Sequence, residues 1–215
     1  MKGLLLKDWY QVRTSMKAMC LTVAFVLVIW VFSTSNAYVF PVSYAAVFLG
    51  ILPINLLAYD HASGWTEYSF ALPLSKELQV AEKYLVGLLC TAVSAALNGI
   101  FCGILFWMGK PLPAMPIGLL LGAGAASILL INGIMLPLYY RFGAEKARML
   151  YMLMFAGMGA ALGGGAVMDD LQQNGTGSGP LPVPLWLAAV LLLAVLALYA
   201  VSWRVSVAWY GKYKK

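Results

Sequence analysis

Long apolar blocks alternate with short polar segments along this chain. No Asp, Glu, Lys or Arg occurs in 18–59, 84–109, 111–140, 149–168 or 171–203. A helix needs about 20 apolar residues to cross a bilayer, so the first block is long enough for two spans and each other block for one. A polar break at 33–36 divides the first block. The pattern predicts six membrane-spanning helices at 18–35, 41–59, 84–108, 116–138, 149–168 and 184–206.

The composition agrees with an all-α integral membrane protein that forms a single domain over 1–215. The chain is 62% hydrophobic and 10% charged, whereas soluble domains carry about 25% charged residues. This excludes soluble, disordered and disulfide-scaffold proteins. The net charge of +6 is explained by the placement of the charges relative to the membrane, and we expect no nucleic-acid partner.

Basic residues lie almost entirely on one side of the predicted membrane. The segments on the N-terminal side contain thirteen Lys and Arg residues, and the opposite side contains only Lys110. By the positive-inside rule, both termini are predicted to be cytoplasmic, the C-terminal one as a basic tail at 207–215. Residues 1–17 predict a basic amphipathic helix at the membrane interface. Its apolar side carries Leu4, Leu5, Trp9 and Val12.

The predicted spans contain none of the groups that support catalysis or ion coupling. Ion-coupled transporters usually place ionisable residues inside their spans, and the interiors of these spans contain no Asp, Glu, Lys, Arg or His, since Arg204 lies at the end of the last one. His61 is the only histidine, and the chain has neither a Gly-x-Ser-x-Gly nucleophile motif nor a phosphate-binding loop. We therefore expect a chain that is not an enzyme and binds no cofactor or metal. If it performs transport, its energy comes from another polypeptide.

Small and amide side chains within the spans have two interpretations each. Gly118 and Gly122 share one face of the fourth predicted span. Such a face suits close helix packing inside one chain or a contact with a second subunit. Asn55, Asn98 and Asn132 also fall within spans. Their side chains are predicted to hydrogen-bond between helices or to line a solute path.

The cytoplasmic loop at 60–83 is unusually long for this chain. Asp60 or Ser63 is placed to cap a short helix that Pro73 would end. Trp65, Tyr68 and Leu72 would share one face of that helix. Ser75 is predicted to cap the next helix, with Glu77 in its first turn. The short helix could lie on lipid headgroups or fit a groove on a cytoplasmic partner.

This loop, the N-terminal segment and the six predicted spans resemble the ABC type-2 transporter permeases. The residues that carry the resemblance are Met1 to Tyr10, then Asp60, Glu67, Tyr68, Ala71, Leu72, Pro73, Leu74, Ser75, Lys76, Lys83 and Tyr84. The pattern is similar to small bacterial permeases encoded beside a separate ATPase, including exporters of phenol-soluble modulins and peptide antibiotics. The resemblance implies a multi-pass protein of the bacterial cytoplasmic membrane.

The resemblance also implies how such a chain works. The loop at 60–83 would carry a coupling helix that docks on an ATP-binding subunit, and ATP and Mg²⁺ would bind to that partner. The coupling residues would be Asp60, Trp65, Glu67, Tyr68, Leu72, Pro73 and Lys76. Two permeases, identical or different, would enclose a path for an amphipathic peptide, drug or lipid. The alternatives are a solute-binding subunit of an importer and a membrane enzyme.

Overall fold

The computed structural model describes residues 2–15, 17–32, 39–71, 75–110, 117–143, 146–147, 149–150, 152–153 and 185–210. Its helices are α1 (Lys2–Ser15), α2 (Lys17–Phe32), α3 (Val39–Ala62), α4 (Trp65–Ala71), α5 (Lys76–Trp107), α6 (Ile117–Phe142) and α7 (Leu185–Tyr210). All regular secondary structure in this part of the chain is helical, which confirms the predicted all-α class.

Four of these helices contain segments long and apolar enough to cross a membrane. The segments are Tyr44–Ala62, Lys76–Trp107, Ile117–Phe142 and Ala189–Tyr210. A shorter apolar segment, Cys20–Phe32, lies in α2. The predicted fifth span at 149–168 lies largely outside the described residues, although 149–150 and 152–153 are helical. The count of six spans therefore stays a prediction.

The third predicted span, at 84–108, is continuous with the helix that Ser75 was predicted to cap. Together they form α5, which begins at Lys76 and has 32 residues. Ser75 caps it as predicted, because its side-chain oxygen accepts a hydrogen bond from the Leu78 amide at 3.3 Å. A span needs about 20 residues, so α5 is long enough to extend past the bilayer by its first two turns.

The helices pack around α6, which contacts α3, α5 and α7. Buried residues of α2, α3, α5 and α6 form one apolar cluster that contains Val23, Leu27, Val31, Ala45, Phe101, Cys102, Leu105 and Leu120. A second cluster, at the end of the bundle where α4 lies, is rich in tyrosine and contains Val80, Tyr84, Leu136, Tyr139, Tyr140 and Tyr210. The loop after α3 lies against this second cluster.

Hydrogen bonds tie α5 and α6 to α7 within this bundle. The Tyr84 hydroxyl lies 2.7 Å from both Ser202 Oγ and Ser206 Oγ. The Tyr199 hydroxyl donates to the Tyr84 carbonyl at 2.8 Å, and Ser202 donates to the Gly133 carbonyl at 2.5 Å. Polar side chains that hydrogen-bond across helices stabilise packing where the hydrophobic effect no longer drives association.

Gly87 allows α5 and α7 to approach closely. A Cβ at this position would lie 2.5 Å from the Tyr199 hydroxyl oxygen, and the Tyr199 ring is held by its hydrogen bond and by the Tyr84 ring 4.9 Å away. We therefore expect Gly87→Ala to destabilise the purified protein by about 1–3 kcal/mol through overpacking. Thermal unfolding in detergent measures this effect.

Gly99→Ala is the matched control on the same helix, because no described atom lies within 4 Å of a Cβ added there. It should be neutral or slightly stabilising, since alanine favours a helix over glycine by about 1 kcal/mol. Equal melting of Gly87→Ala and Gly99→Ala would contradict the close approach at Tyr199.

Candidate coupling site

The connection between α3 and α5 contains the short helix α4. After Ala62 the chain turns through Ser63 and Gly64, and Gly64 adopts a left-handed φ of 71° that glycine tolerates best. The first bond of the new helix runs from the Tyr68 amide to the Gly64 carbonyl, at 3.1 Å. The predicted short helix is present as Trp65–Ala71.

The predicted cap of this helix is wrong. The Asp60 carboxylate binds the ammonium groups of Lys7 and Lys83, and the Ser63 hydroxyl donates back to the Asp60 carbonyl at 3.3 Å. A buried carboxylate gains more from two ammonium groups than from one backbone amide, because charge-assisted hydrogen bonds are the stronger ones. The turn at Gly64 starts the helix instead.

The helix α4 has an inner and an outer face. Ser69 is buried, and Trp65 and Thr66 are half-buried against the spans. Glu67 is exposed, and the Tyr68 side chain is 58% exposed. Of the predicted coupling residues, Trp65 therefore anchors the helix, while Glu67 and Tyr68 are free to meet a partner.

Three more predicted coupling residues follow α4 in the sequence. Leu72 and Pro73 fall outside the described residues, so their assignment to the coupling face stays a prediction. Lys76 is exposed at the first position of α5.

Side-chain hydrogen bonds fix the inner face of α4 to two spans. The Gln79 amide nitrogen donates to the Ser69 carbonyl at 3.3 Å, and the Ser69 hydroxyl lies 3.2 Å from Gln79 Oε1. The Tyr210 hydroxyl donates to the same Gln79 oxygen. The end of α4 is thereby joined to the first turn of α5 and to the last turn of α7.

Four charged side chains from three helices form a closed ring beside α4, here called the charge ring: Lys7, Asp8, Asp60 and Lys83. Lys83 Nζ lies 2.9 and 2.8 Å from the two Asp8 carboxylate oxygens and 2.8 Å from Asp60 Oδ2. Lys7 Nζ lies 2.7 Å from Asp60 Oδ1 and 3.1 Å from Asp8 Oδ1. The ring joins α1, the end of α3 and the start of α5.

Three of the four members of the charge ring are withdrawn from solvent, and the Lys7 side chain is 22% exposed. Asp8 and Lys83 are 2% exposed and Asp60 is 4% exposed. Such charges are tolerated only when each is paired and hydrogen-bonded, and the three ammonium protons of Lys83 match its three oxygen neighbours. Glu82, also buried, places Oε1 4.0 Å from Lys83 Nζ and adds a third carboxylate to two ammonium groups.

The charge ring also touches α4 directly. Lys7 Nζ lies 4.7 Å from the centre of the Trp65 ring, in a cation–π contact. Trp65 in turn contacts the Tyr68 ring at 5.6 Å between centroids. A chain of contacts therefore runs from the exposed Tyr68 through Trp65 and Lys7 to the buried aspartates.

Most of the charge ring was missed in the sequence. Lys7, Asp8 and Lys83 entered the sequence analysis only in the charge asymmetry and in the family resemblance, and no pairing among them was predicted. One available signal was that Asp60 and Lys83 directly border the charge-free blocks at 18–59 and 84–109. Opposite charges at neighbouring ends of consecutive spans are placed to pair. Asp8, the single acid of a basic segment, was the other signal.

Two of the amide residues of the spans, Asn98 and Asn132, bond within their own helices. The Asn98 side chain donates to Ser94 Oγ at 3.4 Å, and the Asn132 side chain donates to the Ile128 carbonyl at 3.0 Å. Hydrogen bonding between helices was expected, and for these two residues the observed bonds are local instead. Both side chains are buried, and their Oδ1 atoms have no hydrogen-bond partner among the described residues. Asn55 is half-buried.

The glycine pair of α6 does not pack against another described helix. A Cβ added at Gly118 or Gly122 would meet no described atom within 4 Å. Close packing inside the described part of the chain is instead found at Gly87 and Gly133, both beside Tyr199.

Comparison of the chain with known proteins found one match. A family model described as ABC-2 family transporter protein matches residues 3–211. No curated protein and no solved structure matches the chain.

Proposed function

The chain belongs to the ABC-2 transporter family, whose model covers nearly all of it, and from this we propose that it is the permease subunit of an ATP-driven exporter. In this proposal, a separate ATP-binding subunit docks on α4. Two permeases, identical or different, enclose the solute path. Both termini are cytoplasmic, and the membrane is the bacterial cytoplasmic membrane.

The observation that carries this proposal is the construction of α4. A helix that transmits a movement of the ATPase must be fixed to the spans on one side and exposed to its partner on the other. Ser69 is fixed to Gln79, and Trp65 lies under Lys7. Tyr68 and Glu67 remain exposed. Aromatic side chains of this kind dominate binding energy at interfaces, so this face suits a protein partner.

A second copy of the permease is supported by the glycine pair of α6. Gly118 and Gly122 lie four residues apart, with no described atom within 4 Å of an added Cβ. Small residues at this spacing allow two membrane helices to approach closely. The proposed substrate is an amphipathic peptide, drug or lipid, which is the class implied by the exporters that the sequence resembles.

We expect the purified chain alone neither to bind nor to hydrolyse ATP, since its sequence has no phosphate-binding loop. Co-expression with its proposed ATP-binding subunit should yield a complex of two permeases and two ATPases. Affinity purification with native mass spectrometry gives the stoichiometry, and ATP-dependent uptake into inside-out vesicles gives the direction.

The outcomes separate the alternatives. Uptake into inside-out vesicles that requires both subunits supports the exporter. Co-purification with an energising module shared by several binding subunits would indicate an importer. Proton-driven flux by the permease alone in liposomes would contradict the proposal.

A further inference from the structure

The N-terminal helix α1 is held more specifically than a lipid anchor requires. A basic amphipathic helix binds a membrane surface through an apolar face and basic side chains. Asp8 contributes to neither, because it is an acid, is 2% exposed, and has both oxygens bonded to Lys83. The side chain instead connects α1 to the start of α5.

Apolar packing also holds α1, around an open gap. Leu5 and Val12 pack against the buried cluster of Leu49, Leu52, Leu56, Val86 and Cys90, and an open apolar cavity of about 390 Å³ lies between these elements. Apolar contacts are non-directional, so they fix the position of α1 less specifically than hydrogen-bonded charges do. The charge ring is therefore the principal specific tie between α1 and the spans.

The charge ring permits little independent motion of its helices. Its N–O distances lie between 2.7 and 3.1 Å, and each of its lysines contacts both aspartates. A relative shift of α1 or α3 by about 1 Å would lengthen several of these bonds beyond hydrogen-bonding distance. Because Asp8, Asp60 and Lys83 are buried, these charges would lack water to replace their partners after separation.

Displacement of α1 also has a path to the first apolar helix. The helix α1 ends at Ser15 and α2 begins at Lys17, with one residue between them. A displacement of α4 would be transmitted directly to α3. It would also be transmitted to α1 through Lys7, which contacts both Trp65 and Asp60.

We propose that the charge ring makes α1 a working part of the coupling apparatus, so that α1 and α2 move together with α4 when the ATPase acts. Lys83, which binds both aspartates, is its central positioning residue. This inference rests on the proposed function, but the tie between α1 and α5 is testable in the permease alone.

The test uses Asp8→Asn, which keeps the side-chain shape and removes one charge. Asp60 still pairs with both lysines in this variant, and burial raises the pKa of the neighbouring Glu82 carboxyl to about 7, so the local charge stays close to balanced and the variant should fold. In the isolated permease, the amides of α1 should exchange with deuterium at least about fivefold faster than in the wild type, the low end of site-to-site coupling. Glu77→Gln, the same change at an exposed site of α5, should not alter the exchange.

In the assembled exporter, Asp8→Asn should leave association with the ATPase unchanged. Substrate transported per ATP hydrolysed should fall at least about fivefold. Asp8→Glu, which restores the charge, should recover part of this ratio. If the wild-type chain bound no ATPase, the proposed function would fail together with the coupling role, while the exchange experiment would still report on the tie.

Two results would overturn the inference. Unchanged exchange of α1 in Asp8→Asn would show that the charge ring does not hold the helix. Faster exchange with an unchanged ratio of transport to hydrolysis would show that the ring is purely structural.

Discussion

Replacing Tyr68 with alanine is expected to weaken binding of the ATPase by about 30-fold, which corresponds to about 2 kcal/mol for an aromatic side chain at the centre of an interface. The reason is that Tyr68 offers the largest described exposed side chain of α4, while its neighbour Trp65 holds the helix from below. The dissociation constant is measured with the permease in nanodiscs and the purified ATPase. Tyr10→Ala is the matched control, because Tyr10 is exposed to a similar degree on α1.

A charge reversal at the neighbouring position separates docking from simple contact with lipid. If α4 docks on a protein, Glu67→Lys should reduce substrate-stimulated ATP hydrolysis, since charges at an interface rim act mainly on specificity and association rate. If α4 only rests on anionic headgroups, the added lysine should tighten that contact. Glu77→Lys provides the same charge change at an exposed position of α5. Normal binding and export by both α4 variants would contradict docking through this face.

Replacing Lys83 with methionine is expected to destabilise the permease by about 3–5 kcal/mol, the usual cost of removing one partner from a buried ion pair. The change leaves Asp8 and Asp60, both nearly fully buried, with Lys7 as the remaining cation of the ring. Methionine preserves most of the apolar volume, so the loss is chiefly electrostatic. Thermal unfolding followed by size-exclusion chromatography in detergent measures it.

Two further variants test whether the loss of stability comes from the charge ring. Lys76→Met makes the same substitution at an exposed site on the same helix and should melt like the wild type. Adding Asp8→Asn to Lys83→Met removes one of the stranded carboxylates and should recover part of the lost stability. A Lys83→Met protein that melts at the wild-type temperature would mean that the charge ring contributes nothing to folding.

The charge ring and the α4 contacts together place the candidate site at one junction. There α1, the end of α3, α4 and the start of α5 meet, and Gln79 extends the contacts to Tyr210 on the last helix. Of the predicted coupling residues, Glu67, Tyr68 and Lys76 are exposed on the outer part of this junction, whereas Asp60 and Trp65 belong to its inner part. The residues that hold it together occupy the inner part, where a substitution would affect both folding and transmission.

The sequence by itself determined the class of protein, the apolar segments and the presence of the short helix at the site. These features are local: a bilayer sets the length of an apolar helix, and Ser75 begins α5 because its side chain caps a nearby amide. The coupling roles of Glu67 and Tyr68 were named through the resemblance to the permeases, and they stay predictions.

Only the tertiary structure decided which charges pair and which helices touch. Lys83 and Asp8 lie 75 residues apart, and no periodicity links positions so distant. A lysine that satisfies the positive-inside rule has the same sequence pattern whether it meets water or two buried aspartates. The close approach at Gly87 also depends on Tyr199, which another helix supplies. Burial and pairing are properties of the packed bundle, because they arise when the helices exclude water from groups that the chain itself keeps far apart.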